Sequence, residues 1–217
     1  MKTIDTNGIT YIEPVPGGTN EWYFGNSREH GDLYEAEEIF NMGHPVEGNC
    51  LCLIHYPDGA VYRPLPKEAG TYTENPVFTD DHIYLLNVDF INGKIRIFAF
   101  DCKSCRVNLL TALPLSRIKS CYNLQLHISP LSLTRQGEEG QFEIIWPECT
   151  AFKMDPHESF FLRAGERLFF SKWYEEGDGE DYRYWEETVI RDLRGNVVEI
   201  LPGDIQMMPN GELWHLK

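Results

Sequence analysis

Short apolar and aromatic runs, broken by turn-forming dipeptides, constrain this chain more than any other feature. "CLCLIHY" (residues 50–56), "HIYLLNVDF" (82–90), "KIRIFAF" (94–100), "FEIIW" (142–146), "RLFFSKWY" (167–174) and "VVEIL" (197–201) are rich in β-branched and aromatic residues and are short, as strands are. Asp58-Gly59, Asn92-Gly93, Gly195-Asn196 and Asn210-Gly211 fall between or beside such runs. These residues tolerate positive φ, so the dipeptides predict two-residue hairpins. Alternation puts Cys50, Cys52 and Ile54 on one face of a strand, and both faces of "CLCLI" are apolar, which predicts an interior strand. No stretch keeps a helical period for three turns. "DLYEAEEIFNM" (32–42) is the best helix candidate, and it is short.

The runs also repeat. "VFTDDHIYLL", "FLRAGERLFF" and "MMPNGELWHL" begin at Val77, Phe161 and Met207, spacings of 84 and 46 residues. Each reads as two apolar residues, a small polar turn and an apolar-aromatic strand. The first spacing is about twice the second, so a missing copy is expected near residue ~120, where "YNLQLHISPLSLTR" (122–135) lies. In a second alignment, "YPDGAVYRPLP" (56–66) matches "DLRGNVVEILP" (192–202), with Gly59 opposite Gly195 and Pro66 opposite Pro202. A period of ~40–50 residues with about four strands resembles the blades of the β-propeller superfold. No particular propeller family is indicated: no "GH…WD" signature, kelch di-glycine or sialidase-type Asp box stands in the sequence.

The fold expectation is therefore all-β, a small β-propeller of about four or five blades in a single domain over residues 1–217, with 1–48 partly decoration or extra strands. Residues 19–40 would be a decoration or most of a fifth blade. The last copy ends with two inner strands, and the pair at 50–56 and 60–66 has no inner pair of matching quality before it. The resemblance implies a blade closed by both chain ends, which removes exposed sheet edges. A β-sandwich or irregular barrel is the alternative, because turn signals every ~10 residues suit those folds too.

Charge narrows the partners. The 217 residues carry a formal net charge of -15. Such a surface repels nucleic-acid phosphates and anionic membranes, and suits cationic ligands or proteins. No apolar run reaches the ~18 residues of a membrane helix, and "MKTIDTNGITYIEPVPGG" has no secretory apolar core. The six cysteines are then expected reduced, in a cytoplasmic setting.

Local motifs for chemistry are sparse. "CKSC" (102–105) is half of a zinc knuckle, but Cys121 and Cys149 are too remote to complete it obviously; core and loop thiols are the favoured reading. "TDDH" (79–82) gathers two carboxylates and an imidazole, and it is equally good turn chemistry. "EEGDGEDYRYWEE" (175–187) spaces oxygen donors at Glu176, Asp178, Glu180 and Asp181 without the EF-hand pattern, so it reads as a solvated hairpin loop. Trp22, Tyr23 and Phe24, and then Trp173, Tyr174, Tyr182, Tyr184 and Trp185, form aromatic clusters. Such rings pack between blades, or face sugars and cations when carboxylates stand beside them. No nucleophile elbow, Walker loop, dinucleotide fingerprint or H-E-x-x-H motif occurs.

The propeller register puts Tyr72, Glu74, Cys121, Tyr122, His157 and Glu158 on loops entering inner strands at one mouth, with the acidic loop and Tyr182 beside them. "TDDH" falls at the other mouth. Ligand-binding roles are expected for Tyr72, Glu74, Tyr122, His157, Glu158 and Tyr182, with no metal and no cofactor. The sequence favours a non-catalytic binding or scaffolding protein for a small polar molecule or a protein. The alternatives are a carbohydrate-active enzyme using carboxylates near the axis and a metal protein built on Cys102 and Cys105.

Overall fold

The turn signals become hairpins, and the hairpins assemble into antiparallel sheets. A computed structural model describes residues 1–18, 20–27, 31–208 and 211–217. The chain groups into two compact units, Met1–Ile128 and Ser129–Lys217. The protein is all-β, with four-stranded antiparallel sheets in each unit and a single short α-helix among the described residues.

In the first unit, β1 (Glu13–Pro14) and β2 (Trp22–Asn26) precede α1 (Leu33–Asn41), β3 (Leu51–His55) and β4 (Ala60–Tyr62). The sheet order is β1-β2-β3-β4. β3 is interior as expected, and Leu51 to Ile54 are all buried. Its partner differs from the expected one. β2 pairs with β3 from Trp22↔His55 to Asn26↔Leu51, so the inner strands of this sheet come from residues 13–26 and not from the C-terminal hairpin. The reason is packing: Trp22 and Phe24 alternate into the same core as Leu51 and Leu53. Residues 19–40 thus supply a strand and a helix, with Thr19 and residues 28–30 outside the described set.

The second sheet holds β5 (Thr71–Thr73), β6 (Val77–Thr79), β7 (His82–Asp89), β8 (Lys94–Asp101) and β9 (Arg106–Pro114). Its order is β5-β7-β8-β9, with β6 also on β7. Ile83, Leu85 and Phe100 meet Trp22, Phe24 and Leu53 in one core. The unit ends with β10 (Leu124–His127). Asn49, which is buried, accepts from the Thr73 amide at 2.8 Å and donates to the Thr73 carbonyl at 2.7 Å and Asn26 Oδ1 at 2.8 Å. A fully satisfied buried amide of this kind pins β5 in register.

In the second unit, β11 (Ser132–Gln136), β12 (Gln141–Trp146) and β13 (Thr150–Lys153) pair in order. β14 (Glu158–Ala164), β15 (Arg167–Glu176), β16 (Arg183–Asp192) and β17 (Val197–Pro202) form a four-stranded meander, and β18 (Asp204–Met207) pairs with β19 (Leu213–Leu216). Residues 168–170 of β15 and 189–190 of β16 are buried on both faces of the meander, while β17 is largely exposed. Leu168, Phe170 and Val189 pack with Phe142 and Ile144, while Phe169 and Ile190 pack with Ile205. That is why "RLFF" reads as an unbroken apolar run.

The repeats are confirmed as hairpins. "VFTDDHIYLL" is β6–β7, "FLRAGERLFF" is β14–β15, and the described part of "MMPNGELWHL" is β18–β19, with Pro209 and Asn210 outside the described residues. β10 and β11 stand where the missing copy was expected. The two tight turns are at Asp80-Asp81 and Gly165-Glu166. Asp58-Gly59 and Asn92-Gly93 instead close four-residue loops, between His55 and Ala60 and between Asp89 and Lys94. Gly195 has φ +83, and a Cβ there would strike the Phe152 ring at 2.4 Å. Only glycine fits that turn.

Candidate functional site

The first unit buries Tyr72 and Cys121 and leaves Glu74 and Tyr122 half-buried. Tyr72 is 1% exposed, and its hydroxyl donates to the Gly31 carbonyl at 2.6 Å. Its expected ligand contact gives way to packing, because neither its ring nor its hydroxyl is left at the surface. Glu74 is half-buried and accepts the Asn75 amide at 2.9 Å. Tyr122 sets its ring edgewise against Tyr34 at 5.2 Å, and the buried Cys121 donates its amide to Glu37.

The two ionisable motifs of this unit are turns. Asp80 (φ 51) and Asp81 (φ 60) are both left-handed between the paired Thr79 and His82, as a two-residue type I′ turn requires. "CKSC" closes the β8–β9 hairpin: Asp101 Oδ1 accepts the Lys103 and Ser104 amides, and Cys105 takes φ 54. Cys102 and Cys105 pack against the core. Burial, reinforced by Asp101 alongside, pushes the Cys102 thiol up to about 12. Among the described residues, no three His, Cys, Asp or Glu side chains converge to hold a metal ion.

The second unit places its candidates along one sheet end. Glu158 is buried, and both of its carboxylate oxygens accept from Arg191 Nη2, at 2.8 and 2.9 Å. Arg191 Nη1 continues to the Gly195 carbonyl at 2.8 Å. The pair holds the entry to β14 against β16 and is structural. Next to it, exposed His157 has φ 67, and its ring stacks flat on Trp173 at 3.9 Å and 8°. A left-handed non-glycine residue is uncommon; here it lays an imidazole over an indole.

Beyond Lys172 and Glu187, the outer strands of the meander stop, while β15 and β16 continue as a two-stranded ribbon. Residues 173–176 pair with 183–186, and a single 3-10 turn (Gly179–Asp181) lies in the loop at the tip. The expected acidic hairpin loop is present at residues 177–182, while its flanks 175–176 and 183–187 are strand. Cross-strand packing explains it: Tyr174 and Trp185 are register partners and stack at 5.2 Å and 7°. On this ribbon Tyr182 is 51%, Tyr184 52% and Trp185 41% exposed.

Two ribbon tyrosines donate their hydroxyls to carboxylates of the same ribbon: Tyr182 bonds Glu175 at 3.1 Å and Tyr184 bonds Glu186. These bonds push the Tyr182 and Tyr184 phenols above their ordinary range, and burial leads the same shift at Tyr174. At the foot of the ribbon, Phe161, Leu162, Ser171, Glu186, Asp204, Ile205, Gln206 and Met207 line a groove of about 340 Å³. Half of its lining residues are apolar and half polar, the polar ones include two carboxylates, and no Lys, Arg or His is among them. Trp173 stands on the same ribbon face as Glu186, as its cross-strand partner.

Sequence reasoning picked out His157 and Tyr182 here, but it missed Glu186, which it passed over inside the acidic segment 175–187, and Asp204, which sits in no motif. The signal available was the alternation of "YRYWEE", which separates Tyr184 and Glu186 from Trp185 and Glu187. No helix among the described residues is long and apolar enough to cross a membrane. No family model matches this chain, and no curated protein matches it in sequence.

Proposed function

We propose that this protein is a non-catalytic binding module of propeller-like blades, which recognises a small polar molecule or a protein segment at the β15–β16 ribbon and the groove below it. The observation that carries this reading is a pre-stacked aromatic pair on each face of the ribbon. Trp173 with His157 and Tyr174 with Trp185 are held rigid, and carboxylates alternate with them along the strands. Large amphipathic rings fixed before binding give contact area at little entropic cost. No disulfide joins the described cysteines, which fits work in a reducing cytoplasm.

A carbohydrate-active enzyme is the second reading. Glu186 and Asp204 line one groove, and glycoside hydrolysis needs two carboxylates flanking a bond. Both are engaged locally, Glu186 by Tyr184 and Asp204 by the Ile205 amide at 2.8 Å, which favours binding over acid-base work.

A thermal-shift screen of sugars, nucleotides, amines and peptides tests the proposal. A ligand at a hundredfold excess over its Kd stabilises the folded state by about 2.7 kcal/mol. The expected result is a shift with at least one class that Trp185→Ala and Trp173→Ala both abolish. A shift that survives both substitutions, or none with any class, overturns the reading. Turnover of a glycoside that stops with Glu186→Gln would establish the enzyme instead.

A further inference from the structure

Resting on the ribbon as a binding surface, we infer that its partner is an extended basic peptide segment, with Arg or Lys side chains, supplied by another protein. The ribbon chemistry leaves little else for a ligand to use. Tyr182 and Tyr184 spend their hydroxyl protons on Glu175 and Glu186. What remains for a ligand is carboxylate lone pairs and aromatic faces, and both attract cations.

Charge agrees. Residues 172–187 hold seven carboxylates (Glu175, Glu176, Asp178, Glu180, Asp181, Glu186 and Glu187) against Lys172 and Arg183. Glu186 and Asp204 extend the acceptors into a groove with no basic lining residue. On the ribbon face away from Trp173 and Glu186, the chain itself sets an ammonium beside a ring: Lys172 Nζ lies 5.5 Å from the Tyr174 ring centre and bonds Asp155 at 3.2 Å, and Trp185 on that face is open to solvent.

Geometry selects a peptide over a small cation. On the ribbon edges the Trp173 amide donates to the His157 carbonyl at 3.3 Å and the Glu186 carbonyl accepts from the Gly203 amide at 3.1 Å; past these bonds no third strand among the described residues pairs with residues 174–176 or 183–185. An incoming extended segment can add along such an edge by main-chain hydrogen bonds. Its alternate side chains then reach one ribbon face, where carboxylate and aromatic residues follow each other across the pairs Trp173↔Glu186 and Glu175↔Tyr184. A free cation engages one ring and one carboxylate. A basic strand engages several of each, and the edge backbone besides.

The test is isothermal titration calorimetry with tryptophan fluorescence on the full chain. The probes are a ten-residue peptide alternating Arg or Lys with Thr, its Glu-for-Arg/Lys counterpart, and arginine amide. The basic peptide is expected to bind, to weaken about tenfold or more when salt rises from 0.05 to 0.5 M, and to lose about tenfold or more in Glu186→Gln/Glu187→Gln. The charge-matched control Glu138→Gln/Glu139→Gln should leave binding unchanged. Equal binding of the acidic peptide, equal loss in both double variants, or arginine amide binding as tightly as the peptide overturns the inference. If the basic peptide fails while a neutral ligand still gives a Trp185-dependent thermal shift, the peptide inference falls and the binding-module reading stands. If no class gives such a shift, both fall.

Discussion

At the scale of single residues, position decides role more than chemical type does. Asp80 and Asp81 look like acid-base groups in the sequence, yet their left-handed backbone makes them a turn. Asp101 looks like a strand end, yet it organises "CKSC" by accepting two amides. Glu158 shows the same logic in the interior. A buried carboxylate is held there by Arg191, and removing one partner of such a pair leaves an uncompensated charge. Glu158→Ala is expected to lower unfolding free energy by about 3–5 kcal/mol in urea melts. The paired replacement Glu158→Leu/Arg191→Met should recover most of that loss, since an apolar pair of similar size carries no desolvation cost. If the single variant costs nothing, the pair is not the clamp on β14 described above.

At the scale of elements, local sequence and packing share control. α1 is set locally: Asp32 caps the Glu35 amide at 2.8 Å, and Glu35 returns a bond to the Asp32 amide at 2.9 Å, a complete capping box. Asp32→Ala should cost about 1 kcal/mol, and Asp32→Ser much less, by thermal denaturation. A loss no larger than that of a surface control would mean that packing of Leu33 and Ala36 alone holds the helix. β2 is set by packing instead. "WYFGN" is a weak strand signal with a glycine inside, and it becomes the partner of β3 because Trp22 and Phe24 fill a shared core. The β15–β16 ribbon lies between these cases. Its glycine- and acid-rich tip reads as a loop, but Tyr174 against Trp185 zips the strands beyond the sheet.

At the scale of the whole molecule, charge is the dominant global term. A formal net charge of -15 concentrates repulsion in the folded state. Raising ionic strength from 0.01 to 0.15 M shortens the Debye length from about 30 to about 8 Å. The melting midpoint should therefore rise over that range, as read by scanning calorimetry. A fall would show that favourable local pairs such as Arg135–Glu143 and Arg96–Asp89 outweigh the repulsion.

The sequence by itself determined the all-β class, the hairpin copies at Val77 and Phe161, the interior character of β3 and the helix at residues 33–41. Those features rest on local physics: side-chain alternation, positive-φ turns and caps act within a few residues. Only the tertiary structure decided that β2 completes the first sheet, that Tyr72 is core, and that Glu186 and Asp204 share a groove. Strand partnership and cavity lining depend on which distant surfaces bury each other best. That is a sum over contacts far apart in the chain, and no short window of residues contains it.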